Sequence, residues 1–86
     1  MKQSKITVYG AEWCHDTHRT KAQLDELKIP YDYVDIEDDP DAEAMITKAN
    51  GGKRKTPTVE LGGTFLIEPT NAEMEQALEE KGLLPE

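Results

Sequence analysis

The pattern of apolar and polar positions predicts a strand, a helix and a second strand in the first part of the chain. Residues 5–9 (KITVY) are rich in β-branched side chains and end at a glycine, and residues 31–36 (YDYVDI) alternate as strands do. The stretch from Cys14 to Leu27 contains neither glycine nor proline, which predicts the first helix. Its inward face is predicted to carry Thr17, Thr20, Leu24 and Leu27.

A second helix is predicted after the acidic residues that follow the second strand. Asp39 is a suitable N-cap residue, and Pro40 is a suitable first-turn residue. The run Asn50-Gly51-Gly52 ends the helix. Four apolar residues at helical spacing are predicted to form its inward face: Ala42, Met45, Ile46 and Ala49.

A hairpin and a last helix are predicted in the remaining part of the chain. The segments 58–61 (TVEL) and 64–67 (TFLI) flank Gly62-Gly63, a dipeptide suited to a tight turn between two strands. The last helix is predicted within residues 69–82, with Thr70 or Asn71 as its cap and a glycine at its end. Its inward residues are predicted to be Met74, Ala77 and Leu78.

These elements follow one another in the order β-α-β-α-β-β-α and predict an α/β fold in a single domain over residues 1–86. The β-α units favour parallel pairing of the first two strands through a right-handed crossover, and the hairpin adds antiparallel strands. We therefore expect a four-stranded mixed sheet with three helices distributed over both of its faces.

The composition narrows the classes of function. The chain has 18 acidic and 10 basic residues and a net charge of −8, which argues against general binding to nucleic acid. The N-terminal residues lack the apolar region of a signal peptide, and no apolar run is long enough to span a membrane. A single cysteine argues for a reducing compartment. We expect a cytoplasmic protein with no membrane contact.

The only cysteine, Cys14, follows a strand and a short loop and begins a helix. The free N–H groups and the dipole at a helix N-terminus stabilise a thiolate, which is the reactive form of cysteine. Thr17 could donate a hydroxyl hydrogen bond to the sulfur, and His18 could add positive charge to its surroundings. The alternative is a buried, inert cysteine. No second group of ligands accompanies Cys14 and the nearby histidines, so we predict no metal site.

Two further features can belong to a substrate groove. Trp13 precedes the cysteine and is either a wall of such a groove or a packing residue. Thr56-Pro57 precedes the third strand, and an X-Pro bond is the place where a cis peptide is affordable. A cis bond there would leave the Thr56 backbone free to pair with an extended ligand. A group of basic residues just before it suggests an anionic ligand, although such groups are more often surface decoration: Lys48, Lys53, Arg54 and Lys55.

At four places along the sequence, the chain resembles the glutaredoxin branch of the thioredoxin-like superfamily. The segments ITVYGAEWC, KIPYDYVDIEDDP, TPTVEL and IEPTNAEMEQAL stand in the family's order and spacing, and together they extend over nearly the whole chain. Within that branch the sequence is similar to the bacterial mycoredoxins and NrdH-like redoxins, in its WC pair and in NGG before a basic residue. The resemblance implies the thioredoxin-like (glutaredoxin) fold.

The resemblance also implies a function, which is thiol–disulfide exchange on mixed disulfides between proteins and a low-molecular-weight thiol. Cys14 would then be the attacking thiolate. Trp13, Thr56 and Pro57 would line the groove for the small thiol. The cosubstrate would be glutathione, mycothiol or bacillithiol, and no cofactor would be permanently bound. We expect a monomer that acts on protein mixed disulfides.

The resemblance further implies where the anionic groups of the small thiol would bind. Lys53 or Arg54 would hold a carboxylate, and the N-terminus of the last helix, near Thr70 and Asn71, would offer a second anion site. Two departures from the family pattern leave the identity of the small thiol open. Ala11 stands where a lysine is usual, and Glu68-Pro69 stands where Gly-Gly is usual.

Thr17 occupies the place of a second, resolving cysteine. With Thr17 there, an internal disulfide cannot form, so only a cycle that uses a second small thiol remains open. Two alternatives belong to a different class of function. One is a carrier of an Fe–S cluster held by Cys14 and an external thiol, and the other is a redox-sensing or binding module without turnover.

Overall fold

A computed structural model describes residues 5–84, so the predicted domain of residues 1–86 extends beyond the described residues at both ends. Within residues 5–84, no helix is both long and apolar enough to cross a membrane. The elements are β1 (Ile6–Gly10), α1 (His15–Glu26), β2 (Asp32–Asp35), α2 (Pro40–Ala49), β3 (Thr58–Leu61), β4 (Thr64–Ile67) and α3 (Asn71–Glu80).

The four strands form one mixed sheet in the order β2-β1-β3-β4. β1 is parallel to β2, with Val8 opposite Tyr33. β3 runs antiparallel to both β1 and β4, and Val59 stands between Val8 and Leu66 in this register. The chain thus has the predicted element order and the predicted mixed sheet, with β1 at its centre and β4 at one edge.

The side chains of β1 alternate between two apolar clusters, one on each face of the sheet. Ile6 and Val8 pack on the face that is covered by α1 and α3, together with Leu24 and Met74. Tyr9 points to the other face and packs with α2. This alternation follows from the two-residue period of a strand, and it confirms the prediction of helices on both faces.

The helix caps explain where α2 and α3 begin. The Asp39 carboxylate accepts a hydrogen bond from the Ala42 N–H at 3.0 Å. At α3, the Thr70 hydroxyl accepts from the Glu73 N–H, and the Glu73 carboxylate accepts from the Thr70 N–H, which is a complete capping box. The structure confirms Asp39 as the cap of α2, and of the two predicted caps of α3, Thr70 and Asn71, it has Thr70.

The predicted inward face of α2 is half wrong. Ala42 and Ile46 are buried, but Met45 is 40% exposed and Ala49 is exposed as well. A helix that covers the sheet with one narrow stripe buries residues four apart, and Met45 and Ala49 lie at the margin of that stripe. A prediction based only on which residues are apolar therefore made the buried face of α2 too wide.

Helix α1 ends in a Schellman motif that places a lysine in the left-handed region. The Ile29 N–H donates to the Leu24 carbonyl and the Lys28 N–H to the Asp25 carbonyl, both at 3.0 Å. Lys28 has φ of 59°. This conformation is costly for a residue with a Cβ atom and readily adopted by glycine.

Replacing Lys28 with glycine is therefore expected to raise the free energy of unfolding by about 1 kcal/mol. Urea denaturation of the two proteins measures the change. Lys48→Gly is the matched control: it makes the same exchange within α2, where glycine should instead cost about 0.5–1 kcal/mol. A Lys28→Gly protein as destabilised as the control would contradict the assignment.

Candidate active site

Cys14 is the N-cap residue of α1 and stands at the end of the loop that follows β1. Its N–H donates to the Ala11 carbonyl at 3.1 Å, which fixes the turn before the helix. The cysteine is half-buried, and its Sγ lies 3.6 Å from the Thr56 carbonyl oxygen. The predicted position of Cys14 at a helix N-terminus is confirmed, and the sulfur faces the segment before β3.

The surroundings of the sulfur stabilise its ionised form. Burial raises the pKa of the Cys14 thiol, but hydrogen bonds from the Thr17 and Thr56 hydroxyls and from the Thr17 and Asp16 backbone N–H groups lower it. The hydrogen bonds together outweigh burial, so the pKa lies below its ordinary value. A lowered pKa is what a reactive cysteine at neutral pH requires.

The Thr17 side chain is buried and interacts with the sulfur of Cys14. Its Oγ1 accepts a hydrogen bond from the Ala11 N–H at 3.4 Å. A Cβ atom on Gly10 would lie 2.4 Å from the Thr17 Cγ2, so the glycine at the end of β1 makes room for this side chain. With the Ala11 N–H as its donor, the Thr17 hydroxyl keeps its own hydrogen for the sulfur.

The pH dependence of alkylation tests this support. Because the thiolate is the form that reacts, the rate should rise with pH and reach half its maximum below the ~8.5 of an ordinary cysteine. Thr17→Val removes the hydroxyl donor, so the midpoint should move to higher pH. Thr20→Val is the matched control, since Thr20 is equally buried in the same helix but does not contact the sulfur. Equal shifts in both variants would contradict the role of Thr17.

The Thr56–Pro57 peptide bond is cis. Pro57 is buried, and its carbonyl accepts the Glu68 N–H at 2.8 Å, which ties the segment to the end of β4. The prediction that a cis bond would leave the Thr56 backbone free for a ligand does not hold for its carbonyl group. The carbonyl oxygen is turned toward the Cys14 Sγ.

Trp13 and Arg54 lie together on one side of the cysteine. The Trp13 side chain is 64% exposed, and the Arg54 guanidinium lies 6.0 Å from its ring centroid. The same guanidinium is ion-paired with the carboxylates of Glu37 and Glu43, the latter at 3.0 Å. Lys53 is exposed and forms no ion pair with the part of the chain that the structure describes. Of the two predicted carboxylate ligands, Arg54 thus stands beside Trp13 but is already paired.

The N-terminus of α3 is occupied by groups of the protein itself. The capping box uses the N–H groups of Thr70 and Glu73, and it brings the Glu73 carboxylate to the place where a second anion would bind. The Asn71 carbonyl accepts a hydrogen bond from the Gln23 side chain at 2.8 Å. The predicted anion site at Thr70 and Asn71 therefore stays a prediction, and a bound anion there would face a carboxylate.

His18 holds the loop before the cysteine. Its Nε2 lies 2.6 Å from the Glu12 carbonyl oxygen, and the ring N–H donates to it. The groups that lower the pKa of Cys14 do not include His18. The structure does not bring the imidazole and the sulfur into hydrogen-bond contact, so direct support of the thiolate by His18 stays a prediction.

Three acidic residues near the site escaped the sequence reasoning. Glu37 and Glu43 lie among the acidic residues around the start of α2, and no pattern in the sequence pairs them with Arg54. Glu68 lies 3.8 Å from the Lys55 Nζ, next to the cis-proline. Only the departure from Gly-Gly at residues 68–69 marked that position in the sequence.

Two surface pockets of about 320 and 310 Å³ lie away from Cys14, one between β4 and α3 and one between α1 and α3. Neither is lined by Cys14, Trp13 or Thr56. Among residues 5–84, no group of three or more His, Cys, Asp and Glu side chains is placed to hold a metal ion. The geometry thus offers a half-buried cysteine with a lowered pKa that faces the Thr56 segment.

Comparison with known proteins identifies the family of this chain. The glutaredoxin family model matches residues 6–66. A Mycobacterium tuberculosis protein named "Putative glutaredoxin" is 35% identical over 91% of this chain and 94% of its own length. Mycoredoxin 1 of Corynebacterium glutamicum is 32% identical over 83% of this chain and 89% of its own length.

A solved structure shows the same fold. The glutaredoxin-like protein NrdH-redoxin from Escherichia coli has a TM-score of 0.70 at 22% identity, covering 83% of this chain and 91% of that chain. The family model covers most of the sequence, and the element order is that of the thioredoxin-like fold. The chain is a redox protein that belongs to the glutaredoxin family.

Proposed function

We propose that this protein is a monothiol oxidoreductase that reduces mixed disulfides between proteins and a low-molecular-weight thiol, in a reducing compartment such as the cytoplasm. The observation that carries the proposal is the single Cys14 at the N-cap of α1, with a lowered pKa and a buried threonine at the next helical turn. Cys14 has no partner for an internal disulfide, because the chain contains no second cysteine.

In the first step, the Cys14 thiolate attacks the small-thiol sulfur of a protein–S–S–R disulfide. The S–S bond breaks, a new bond forms between Cys14 and the sulfur of R, and the protein sulfur leaves as a thiolate and takes up a proton. Attack on that sulfur avoids a covalent link between the two proteins.

In the second step, another molecule of the small thiol, as its thiolate, attacks the R sulfur of Cys14–S–S–R. The disulfide RSSR leaves, and Cys14 returns as a thiolate. The sum of both steps is protein–S–S–R plus RSH giving protein–SH plus RSSR. The small thiol is thus a cosubstrate and the source of electrons, and the proposal requires no permanently bound cofactor.

The residues around the sulfur are assigned roles in this cycle. Trp13, Thr56 and Pro57 line the groove through which the small thiol reaches Cys14. Two observations support this role: the Trp13 side chain is exposed, and the Thr56 carbonyl oxygen lies 3.6 Å from the Cys14 Sγ. Lys53, which no described carboxylate neutralises, is the cation most available to a carboxylate of the ligand.

A coupled assay tests the proposal. A peptide mixed disulfide is supplied with an excess of the matching thiol, in separate reactions for glutathione, mycothiol and bacillithiol, and formation of RSSR is followed by the corresponding reductase. Turnover above the uncatalysed rate with at least one thiol is the expected result. Failure with all three, by a folded protein whose Cys14 has an ordinary pKa, would overturn the proposal. A coloured, iron-containing dimer after anaerobic reconstitution of such an inactive protein would favour the cluster carrier instead.

A further inference from the structure

Glu68 combines an unusual backbone conformation with a hydrogen bond to the segment that faces Cys14. It has φ of 48°, in the left-handed region that side chains with a Cβ atom rarely adopt. Its N–H donates to the Pro57 carbonyl at 2.8 Å. Residues held in such conformations by their surroundings concentrate at functional sites, so an outlier here prompts a functional hypothesis.

The Glu68 side chain reaches the same segment from the outside. Its carboxylate lies 3.8 Å from the Lys55 Nζ, and both side chains are nearly half exposed to solvent. Lys55 is followed directly by Thr56, whose carbonyl oxygen lies 3.6 Å from the Cys14 Sγ. A small thiol bound to Cys14 and extending along Thr56 would therefore meet the Glu68 carboxylate and the Lys55 ammonium at the margin of the groove.

Arg54, a second cation near the groove, is also matched with carboxylates. It is paired with Glu37 and Glu43, and the Glu73 carboxylate occupies the N-terminus of α3. Lys53 is the exception. A ligand that carries carboxylates would have to compete with those of the protein, whereas a hydroxyl group could donate a hydrogen bond to the Glu68 carboxylate.

We propose that Glu68 is a specificity-determining residue that disfavours small thiols bearing carboxylates and favours uncharged, hydroxyl-bearing ones. The assignment rests on the proposed function and names the class of thiol that the site accepts. Glu68 acts by its charge: it repels a carboxylate of the ligand and occupies the Lys55 ammonium that would otherwise bind that carboxylate.

Two probe substrates test the assignment. The same peptide cysteine is linked by a disulfide either to glutathione, which carries carboxylates, or to thioglycerol, which carries only hydroxyls. Each is assayed with an excess of the matching thiol. Glu68→Gln keeps the size of the side chain and removes its charge, and it should raise kcat/KM for the glutathione-linked peptide by about three- to tenfold at low salt. The thioglycerol-linked peptide should gain nothing, and added salt should shrink the effect.

Glu75→Gln is the matched control, because Glu75 is exposed on α3 and its replacement changes the net charge by the same amount. An equal gain in this variant would overturn the role of Glu68. So would a Glu68→Gln protein that turns over both probes with an unchanged ratio. Failure of the wild type on both probes, while it turns over a mycothiol- or bacillithiol-linked peptide, would overturn the assignment of Glu68 alone. Failure with every one of these thiols would overturn the proposed function.

Discussion

Replacement of Cys14 by serine is expected to lower the rate of mixed-disulfide reduction by at least about a thousandfold, to the uncatalysed background. The hydroxyl of serine is not ionised near neutral pH and forms no disulfide, so both steps of the cycle are lost. Hydrogen bonds of Thr17 and Thr56 that favour a thiolate cannot compensate for the missing sulfur. The coupled assay measures the loss.

The stability of the Cys14→Ser protein is the control for this result. Cys14 is an N-cap residue whose neutral side chain makes no capping hydrogen bond; the N–H groups of Asp16 and Thr17 favour the ionised sulfur. Serine is a preferred N-cap residue, so the variant should be as stable as the wild type or more stable by up to about 1 kcal/mol. Thermal unfolding thus separates loss of chemistry from loss of fold. Turnover that persists in this variant would show that the reaction does not pass through Cys14.

Replacement of Thr17 by cysteine is expected to add the reaction that a single sulfur cannot complete. The wild type should stall as a mixed disulfide when its substrate is an internal disulfide of a peptide. A thiol at residue 17 stands in the spacing of a Cys-X-X-Cys motif and can attack that mixed disulfide. The pre-reduced Thr17→Cys protein, with no thiol added, should then release fully reduced peptide at least about tenfold faster than the wild type does.

Thr17→Ser is the matched control for the new cysteine. It keeps a hydroxyl beneath the sulfur but supplies no second thiol, so it should stall as the wild type does. The oxidised Thr17→Cys protein should carry an internal disulfide, detected as the loss of two hydrogens in its intact mass. Its absence would show that the buried side chain at residue 17 cannot reach Cys14, and the explanation of the monothiol cycle would fail.

Most of the fold could be predicted from local patterns. The strand β1, the hairpin of β3 and β4, and the caps Asp39 and Thr70 are each specified by a few neighbouring residues. The exposure of Met45 was not predictable in this way, because it depends on how much of α2 the sheet covers. Hydrophobic type indicates which residues can be buried, and tertiary packing decides which ones are.

The candidate site was predictable to a smaller extent. Cys14 at a helix start and Thr17 beneath it follow from the order of strand, loop and helix, which is local information. The ion pairs of Arg54 and of Lys55 connect residues that are far apart in the sequence. Charge composition shows that such partners exist but not which carboxylate pairs with which cation. The pairing of Glu68 with Lys55 could therefore be recognised only in the structure.

The central claim is that Cys14 takes the small thiol, and not the protein, in a covalent intermediate. The most direct measurement is the intact mass of the wild-type enzyme after acid quenching of the coupled reaction during turnover. We predict the mass of the chain with one small-thiol group on Cys14, and no such adduct on Cys14→Ser. A chain linked to the peptide, or turnover without any adduct on Cys14, would contradict the account.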